Sequence, residues 1–378
     1  MPLFLDEEQT MLKDTAKGFL ADAAPVSHLR KLRDDKDPTG FSRDLWGHFA
    51  EMGFTGIMIS EAEGGLGLGA VEAGIVLEQI GRNLTPSPFL STSVGAAVAL
   101  INAGSVLKER YLGAIAAGSI TAALAIDEGS RHRPERIALA ARRQGNGFVL
   151  TGEKRMVIGA HVADLLVVAA RTAGSPGETN GLTLLAIDAS TPGITVEIDR
   201  LADSSLAGRV TFESASVDAD AVIGQIDNGW ASLAPVLSHL RSGAAAELIG
   251  VASAAMDRTV QYLRERTQFG RVIGEFQALQ HRAAHLYSEI EVATAAVLKA
   301  QQLLDAGSPE AEAAAMVAKA QAGLTSLLAV QEGLQMHGGI GMTDEHDIGL
   351  YMKRQRVLGE MYGDTDGLAD RLARLAGY

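Results

Sequence analysis

Arg266-Thr267-Gln268-Phe269-Gly270, continuing through Ile273-Gly274-Glu275-Phe276-Gln277 to Gln280-His281, is the stretch whose reading decides the fold. Long Ala- and Leu-rich amphipathic segments flank it. Between them an Arg, two Gly and two Phe fall in a short kink, so the periodicity predicts a helix–turn–helix with a charged, aromatic corner. Read for packing alone, the same residues make a capped connection in a bundle, with Arg266 in solvent and Phe269 and Phe276 as staples.

Around this corner the helical period dominates. Leu233 to Glu265 reads as one long helix, Phe276 to Ala306 as a second, and Pro309 to about Met336 as a third, rich in Ala. A last helix runs from about Ile348 into the C-terminus. Long helices with short connections make an antiparallel bundle, and the weakly amphipathic third suits close packing or an oligomer contact.

Upstream of Trp230 the period is different. Ile120 to Ile126, Ile137 to Arg142, Phe148 to Thr151, Leu165 to Ala170, Leu182 to Ile187, Ile194 to Ile198 and Arg209 to Phe212 read as strands, and Gly145-Asn146-Gly147 is a hairpin signal. Ser175 to Asn180 reads as a loop. Further upstream, helices are predicted from Asp6 to Ala21, with Asp6 and Gln9 as a capping box, then around Leu45 to Met52, ending at Gly53 after a polar stretch through Asp34 to Pro38. Val71 to Ile80, Phe89 to Ala103 and Val106 to Ala117 follow. The intervening Glu63-Gly64-Gly65-Leu66-Gly67-Leu68-Gly69 lacks the spacing, leading strand and Lys-Ser/Thr closure of a phosphate cradle and reads as a turn. The expected organisation is α+β and mainly α: a helical domain at 1–118, a β domain at 119–224 and a helical bundle at 225–378.

The 378 residues are 47% apolar, enough to bury a large core. A formal charge of −13 repels phosphate backbones, so nucleic acid is not an expected partner. With no cysteine there is no disulfide, thiolate metal site or Cys nucleophile. Met1-Pro2-Leu3-Phe4-Leu5-Asp6 lacks the basic and apolar regions of a secretory signal. No apolar run approaches the roughly 20 residues of a membrane span free of charges or Gly breaks. The expectation is a cytoplasmic protein with no membrane contact.

The order helices, strands, helices, the R-x-x-F-G pattern at Arg266, the Phe276-Gln277 step and Gln335-Met336-His337-Gly338-Gly339-Ile340-Gly341 together resemble the acyl-CoA dehydrogenase family over essentially the whole chain. Gly341-Met342-Thr343 and Gly363-Asp364 are similar to the small-subunit branch typified by pimeloyl-CoA dehydrogenase. The resemblance implies a helical domain, a central β-barrel and a C-terminal four-helix bundle, assembled as dimers or tetramers. It implies FAD as cofactor, an acyl-CoA thioester as substrate and an electron-transferring flavoprotein as electron acceptor. It places Arg266, Gln268, Phe269, Phe276 and Gln277 of one subunit on the FAD of its neighbour, with the guanidinium forked onto the pyrophosphate. Gln335, Gly338 and Gly339 match a turn approaching the same dinucleotide, while His337 reads as a packed structural histidine. Arg241 matches a position that contacts the acyl-CoA.

In the β domain, Leu124-Ala125-Ile126-Asp127-Glu128 falls where the family sets a strand against the flavin. Its usual Pro-Gly-Ala-Gly-Ser tail is here Gly129-Ser130-Arg131-His132-Arg133, so Arg131 or Arg133 either compensates electrostatically or lies in solvent. Gly152-Glu153-Lys154 matches the next landmark, and the Trp-Ile-Thr after it is Met156-Val157-Ile158. Side-chain hydroxyl contacts to the flavin are thereby lost, and backbone contacts at Ile126, Met156 and Ile158 remain.

The family reaction takes a proton from the carbon α to the thioester while the β-carbon gives a hydride to the flavin, which needs a placed carboxylate and an electrophile on the carbonyl oxygen. Counting without gaps from Gln335 puts the usual base, the Glu of Tyr-Glu-Gly-Thr, at Tyr362; the alternative position is Leu240. Neither carries a carboxylate. Three readings stay open: Asp364, Glu360 or Glu247 serves; a partner chain supplies the base; or a homo-oligomer does something else with FAD. Glu247 lies about 10.5 Å further along the helix than Leu240, and Asp364 matches a Thr that touches FAD. Tyr362 keeps the backbone N–H that, in the family, helps polarise the thioester oxygen, and with Gly363 it is expected to line the acyl pocket.

Overall fold

Asp6 opens the first helix through the predicted capping box. In the computed structural model, which describes residues 3–378 and leaves Met1 and Pro2 of the expected N-terminal domain outside the described residues, Asp6 Oδ1 accepts the Gln9 amide at 2.9 Å and Gln9 Oε1 accepts the Asp6 amide at 3.1 Å. Each side chain satisfies an amide that the first turn leaves over.

The helices α1 (Glu7–Ala23), α2 (Val26–Asp34), α3 (Arg43–Glu51), α4 (Ala70–Asn83), α5 (Ala97–Ile101) and α6 (Ser105–Ala116) come first. Then follow β1 (Ala122–Ala125), β2 (Ala140–Gln144), β3 (Gly147–Ile158), β4 (Leu165–Arg171), β5 (Leu182–Asp188), β6 (Ile194–Arg200), β7 (Leu206–Asp218) and β8 (Val222–Ile223). The rest is α7 (Gly229–Glu265), the short β9 (Thr267–Gln268) and β10 (Arg271–Val272), α8 (Gln277–Asp305), α9 (Ala311–His337), α10 (Ile348–Glu360) and α11 (Thr365–Leu375). The helix, strand, helix order is as expected.

By compactness the chain divides into two units. One comprises residues Leu32–Gly69 and Pro86–Leu240, the other Met1–Lys31, Ala70–Thr85 and Arg241–Tyr378. In the first, eight strands form a mixed sheet in the order β6-β7-β3-β2-β4-β5-β8, with β1 parallel to β4. The hairpin of β2 and β3 turns at Gly145-Asn146, with Gln144 paired to Gly147. The glycine-rich turn spends its amides on its own backbone: Gly65, Leu66, Gly67 and Leu68 donate to Ser60, Gly56, Ile59 and Ile57. A Cβ on Gly65 would lie 2.2 Å from the Ile59 carbonyl oxygen, so this glycine serves packing.

In the second unit α4 crosses α7 backbone to backbone. A Cβ on Gly81 would lie 2.1 Å from the Glu247 carbonyl oxygen, and one on Gly250 2.0 Å from that of Glu78. Val26, Leu29, Leu84, Val251, Ile290, Val330, Ile348 and Tyr351 share one core cluster. That burial explains why α2 is a helix where a polar stretch was expected: Val26 and Leu29 share a face and the acidic residues lie beyond it.

The fold departs from the sequence reading at four further places. The corner after Glu265 is a β-hairpin, with Thr267 and Gln268 paired to Val272 and Arg271. The expected last helix is two helices, broken at Met361-Tyr362-Gly363-Asp364. Residues Leu90–Ala96 form a π-helix where a plain α-helix was expected; Gly95 there lets Leu124 and Leu240 come to within contact, since a Cβ would lie 2.9 Å from each. The helix of Ala311–Met342 is long and apolar enough to cross a membrane by length and composition, contrary to the sequence reading, yet 56% of its apolar window is buried inside the protein. It is the core helix of the bundle, and its Lys319 is hydrogen-bonded there.

Candidate functional site

In the hairpin, Phe269 and Gly270 are the two central residues, with φ +54° and +79°. Left-handed backbone at both positions is a type I′ turn, which matches strand twist but normally favours Asn or Asp at the first position. Phe269 holds it nonetheless and is 90% exposed. Its ring meets Phe276 edge-on at 6.2 Å, and the Arg271 guanidinium lies 4.0 Å from the Phe276 centroid, a cation–π contact that the sequence reading did not foresee. Arg266, Gln268 and Gln277 are exposed beside them. Phe276 is the N-cap of α8 and gives it no side-chain cap, so the positive end of a 29-residue helix opens next to Gln277.

The Gln335 to Gly341 run comes to the same place. Met336 packs with Leu263 and Ile273, and Phe276 and Leu279 lie against that cluster. His337 is buried, with Nδ1 2.7 Å from the Gly333 carbonyl oxygen and its ring tilted against that of Tyr262 at 4.6 Å. It is the packed histidine expected, and burial lowers its pKa. Gly338 ends α9 at φ 64°, ψ −139°, a conformation open essentially to glycine alone. A Cβ on Gly338 or Gly339 would meet no atom of the chain within 4 Å, so packing inside the chain does not require glycine at 339. Gln335 is exposed at this end.

In the β unit, Lys154 ties Ile126 at the end of β1 to β3, the strand that carries Met156 and Ile158. Its Nζ, fully buried, donates to the Ile126 carbonyl at 3.0 Å and to Glu128 Oε1 at 2.7 Å. Burial pushes the Lys154 pKa down and Glu128 opposes it. Glu128 also accepts the amides of Ala138 and Leu139. The Arg155 amide donates to the Asp127 carbonyl at 2.8 Å, so the end of β1 is tied to β3 where the β3–β7 register shifts between Lys154 and Val157. Met156 sits in that bulge at φ +54°, 48% exposed, while Ile158 is half-buried. Bulges re-aim side chains beside functional sites. The side chains of Arg131 and Arg133 are exposed, and Asp127 instead takes His132 Nδ1 at 2.9 Å.

The third group lies at the break between α10 and α11. Arg241, 1% exposed, donates from Nε to the Tyr362 carbonyl at 3.1 Å. Lys319, also 1% exposed, donates from Nζ to the carbonyls of Gly359 at 2.8 Å and Gly363 at 3.2 Å. Tyr362 is left-handed at φ +60°, and Gly363 at φ +118° packs so that a Cβ would lie 2.8 Å from Leu368. Asp364 caps α11, its Oδ1 accepting the Gly367 amide at 2.7 Å. Glu247 is buried in an ion pair with Arg354, whose Nε is 2.7 Å from Oε1, and Glu360 is exposed at the end of α10. Of the three carboxylates considered as a base, two are thus engaged in structure. Sequence reasoning missed Lys319, whose signal is that it is the one charge between Glu312 and Glu332.

The N-terminal, middle and C-terminal domain models of acyl-CoA dehydrogenase match residues 6–119, 123–214 and 227–376. The chain belongs to the acyl-CoA dehydrogenase family. The acyl-CoA dehydrogenase IpdE2 of Mycobacterium tuberculosis is 33% identical over 92% of this chain and 91% of its own. A solved Tcur3481–Tcur3483 steroid ACAD variant is 30% identical with a TM-score of 0.89, covering 98% of both chains. The ChsE4–ChsE5 complex of Mycobacterium tuberculosis is 26% identical with a TM-score of 0.88 over the full length of both. Members of the family are FAD flavoproteins. The residues present fit that group: an exposed Arg266, an uncapped helix N-terminus at Gln277 and a glycine-only turn at Gly338 are a donor set for a dinucleotide pyrophosphate.

Proposed function

We propose that this chain is an FAD-dependent acyl-CoA dehydrogenase that acts on an acyl-CoA thioester in a mixed oligomer, with the carboxylate base supplied by a homologous partner chain. The observation that carries the reading is a retained clasp beside a missing base: Arg266, Gln268, Phe269, Phe276, Gln277, Gln335, Gly338 and Gly339 form one exposed end, while the base position holds Tyr362. FAD, when bound, supplies the hydride acceptor. Arg266 would hold its pyrophosphate, and, independently in the β unit, Ile126, Met156 and Ile158 would offer backbone contacts to a flavin. Tyr362 donates its N–H to the thioester oxygen, with Gly363 at its side, Arg241 behind its carbonyl and Asp364 fixing the turn. Two of the structures similar to this chain carry the names of two chains each, which supports a paired assembly. The exposed Phe269 supports a clasp that acts across a subunit boundary. Electrons then leave to an electron-transferring flavoprotein, and the setting is the cytoplasm. The same reading keeps three domains at 1–118, 119–224 and 225–378.

The second reading is a silent, FAD-binding or structural subunit of such a heteromer, favoured by Tyr362 and by the structural engagement of Asp364 and Glu247. The test is to purify the chain alone and co-expressed with a homologous dehydrogenase chain, then add acyl-CoA thioesters without oxygen. Flavin bleaching only with the partner, or in the lone Tyr362→Glu variant, is the expected result. A colourless protein in both preparations overturns the FAD reading. A yellow complex that never bleaches, together with a Tyr362→Glu variant that binds thioester without bleaching, favours the silent subunit.

A further inference from the structure

Arg241 matches the family's acyl-CoA contact, yet in this chain it is buried with its Nε on a backbone carbonyl. It has company. Lys319 approaches the same turn from α9, and between them the two cations take the carbonyls of Gly359, Tyr362 and Gly363. Gly359 carries one of the last carbonyls of α10, which have no intrahelical donor and lie at the negative end of the helix, so a buried donor there is favoured; Tyr362 and Gly363 lie just past the helix, and their carbonyls are met by the same two side chains. A left-handed tyrosine persists only when its surroundings over-determine it. Three bridged carbonyls in five residues, the Asp364 cap and the packing of Gly363 on Leu368 do that at Tyr362.

We infer that Lys319 and Arg241 are positioning residues: they hold the 359–364 turn so that the Tyr362 N–H is presented to the thioester, and Arg241 acts through that turn rather than by touching the acyl-CoA. The inference rests on the substrate reading given above. Lys319 has no other evident task in the reaction. Charge alone does not explain it, because burial and the neighbouring Arg241 both disfavour its ammonium form, with only Glu360 and Asp364 in its favour.

The test uses the flavin-loaded protein, in complex with its partner chain where the partner is needed for solubility. Lys319→Met removes both donors at nearly constant volume, and Lys319→Gln keeps a donor. Hydrogen exchange at residues 359–368 is measured beside flavin content and the affinity for a saturated acyl-CoA panel. In Lys319→Met the expected result is exchange at 359–368 faster by about tenfold and thioester affinity weaker by about tenfold, the loss that follows when buried carbonyls lose a donor. Flavin content stays unchanged, and Lys319→Gln recovers part of both effects. Fast exchange with unaltered thioester affinity overturns the positioning role and leaves Lys319 a purely structural brace. Unaltered exchange overturns the brace itself. If Lys319→Met does not fold, Lys319→Gln is read by the same two criteria. A wild-type complex that holds flavin but takes up no acyl-CoA overturns the substrate reading, and with it the presentation of Tyr362, while the exchange result still decides the brace separately.

Discussion

Phe269 and Tyr362 are both aromatic, both left-handed and both at the centre of a turn, and they are held in opposite ways. At Tyr362 the chain supplies the restraint from within, through Arg241, Lys319, Asp364 and Leu368. At Phe269 it supplies a two-strand ladder and the edge of Phe276, and leaves the ring in the open. A left-handed non-glycine residue costs about 1–2 kcal/mol. The difference teaches where each cost is met: in the buried turn by the fold, whereas at the exposed hairpin the fold supplies only the ladder and the edge of Phe276, and the proposed clasp would have to supply the rest.

The largest effect that tests this contrast lies behind the buried turn. Arg354→Met removes the guanidinium facing the buried Glu247, and a loss of about 3–5 kcal/mol is expected, read as a lower urea midpoint at unchanged m-value. A wild-type midpoint would show that the interior around α7 and α10 is not held by charge pairing. Next comes pH. The Lys319 pKa is lowered to about 7 from 10.5 by burial, with Arg241 adding to the shift and Glu360 and Asp364 opposing it. Between those two values the unfolded chain keeps a proton that the folded chain has shed, so stability rises with pH, at most by about 1.4 kcal/mol per unit. It falls again as pH is lowered toward 7. Lys319→Met should flatten that slope, and an identical slope in both proteins would assign it to other groups. The smallest effect is at the exposed turn. Phe269→Asn suits a type I′ turn and should raise the stability of the flavin-free chain by about 1 kcal/mol, while flavin is released more readily. A variant that is more stable and keeps its flavin would remove Phe269 from the clasp.

What the sequence made legible was local. Asp6 and Gln9 lie three residues apart and announce a cap, and Gly145-Asn146 announces a turn. The run from Arg266 to Gln277 carries enough unusual residues to stand out as a candidate site before its shape is known. Its shape was misread because two-residue strands have no periodicity to detect. The break at Tyr362 was masked because Met361, Tyr362 and Leu368 continue an apolar pattern across it, although Gly363 and the Asp364 cap mark it locally and donors from α7 and α9 take its carbonyls. Lys319 and Arg241 are 78 positions apart in Ala-rich helices, and only the packing of those helices turns two isolated cations into one device. The π-helix at Leu90–Ala96 is likewise not encoded by any local propensity, and Gly95 within it is the residue that lets Leu124 and Leu240 approach.

The division of the chain into interleaved segments has a consequence for its synthesis. Arg30 in α2 pairs with Asp347 at the start of α10, 317 residues later. At a translation rate of about 5–20 residues per second, α2 emerges roughly a quarter of a minute to a minute before its partner exists. During that interval the segments Leu32–Gly69 and Pro86–Leu240 are already complete. The sheet-bearing unit therefore finishes first on the ribosome, and Val26 and Leu29 of α2 wait for Val251, Ile290, Val330, Ile348 and Tyr351, with which they share a core. Nascent chains of this protein are most exposed to aggregation or chaperone capture near their beginning, although the residues that relieve that exposure are encoded near the end.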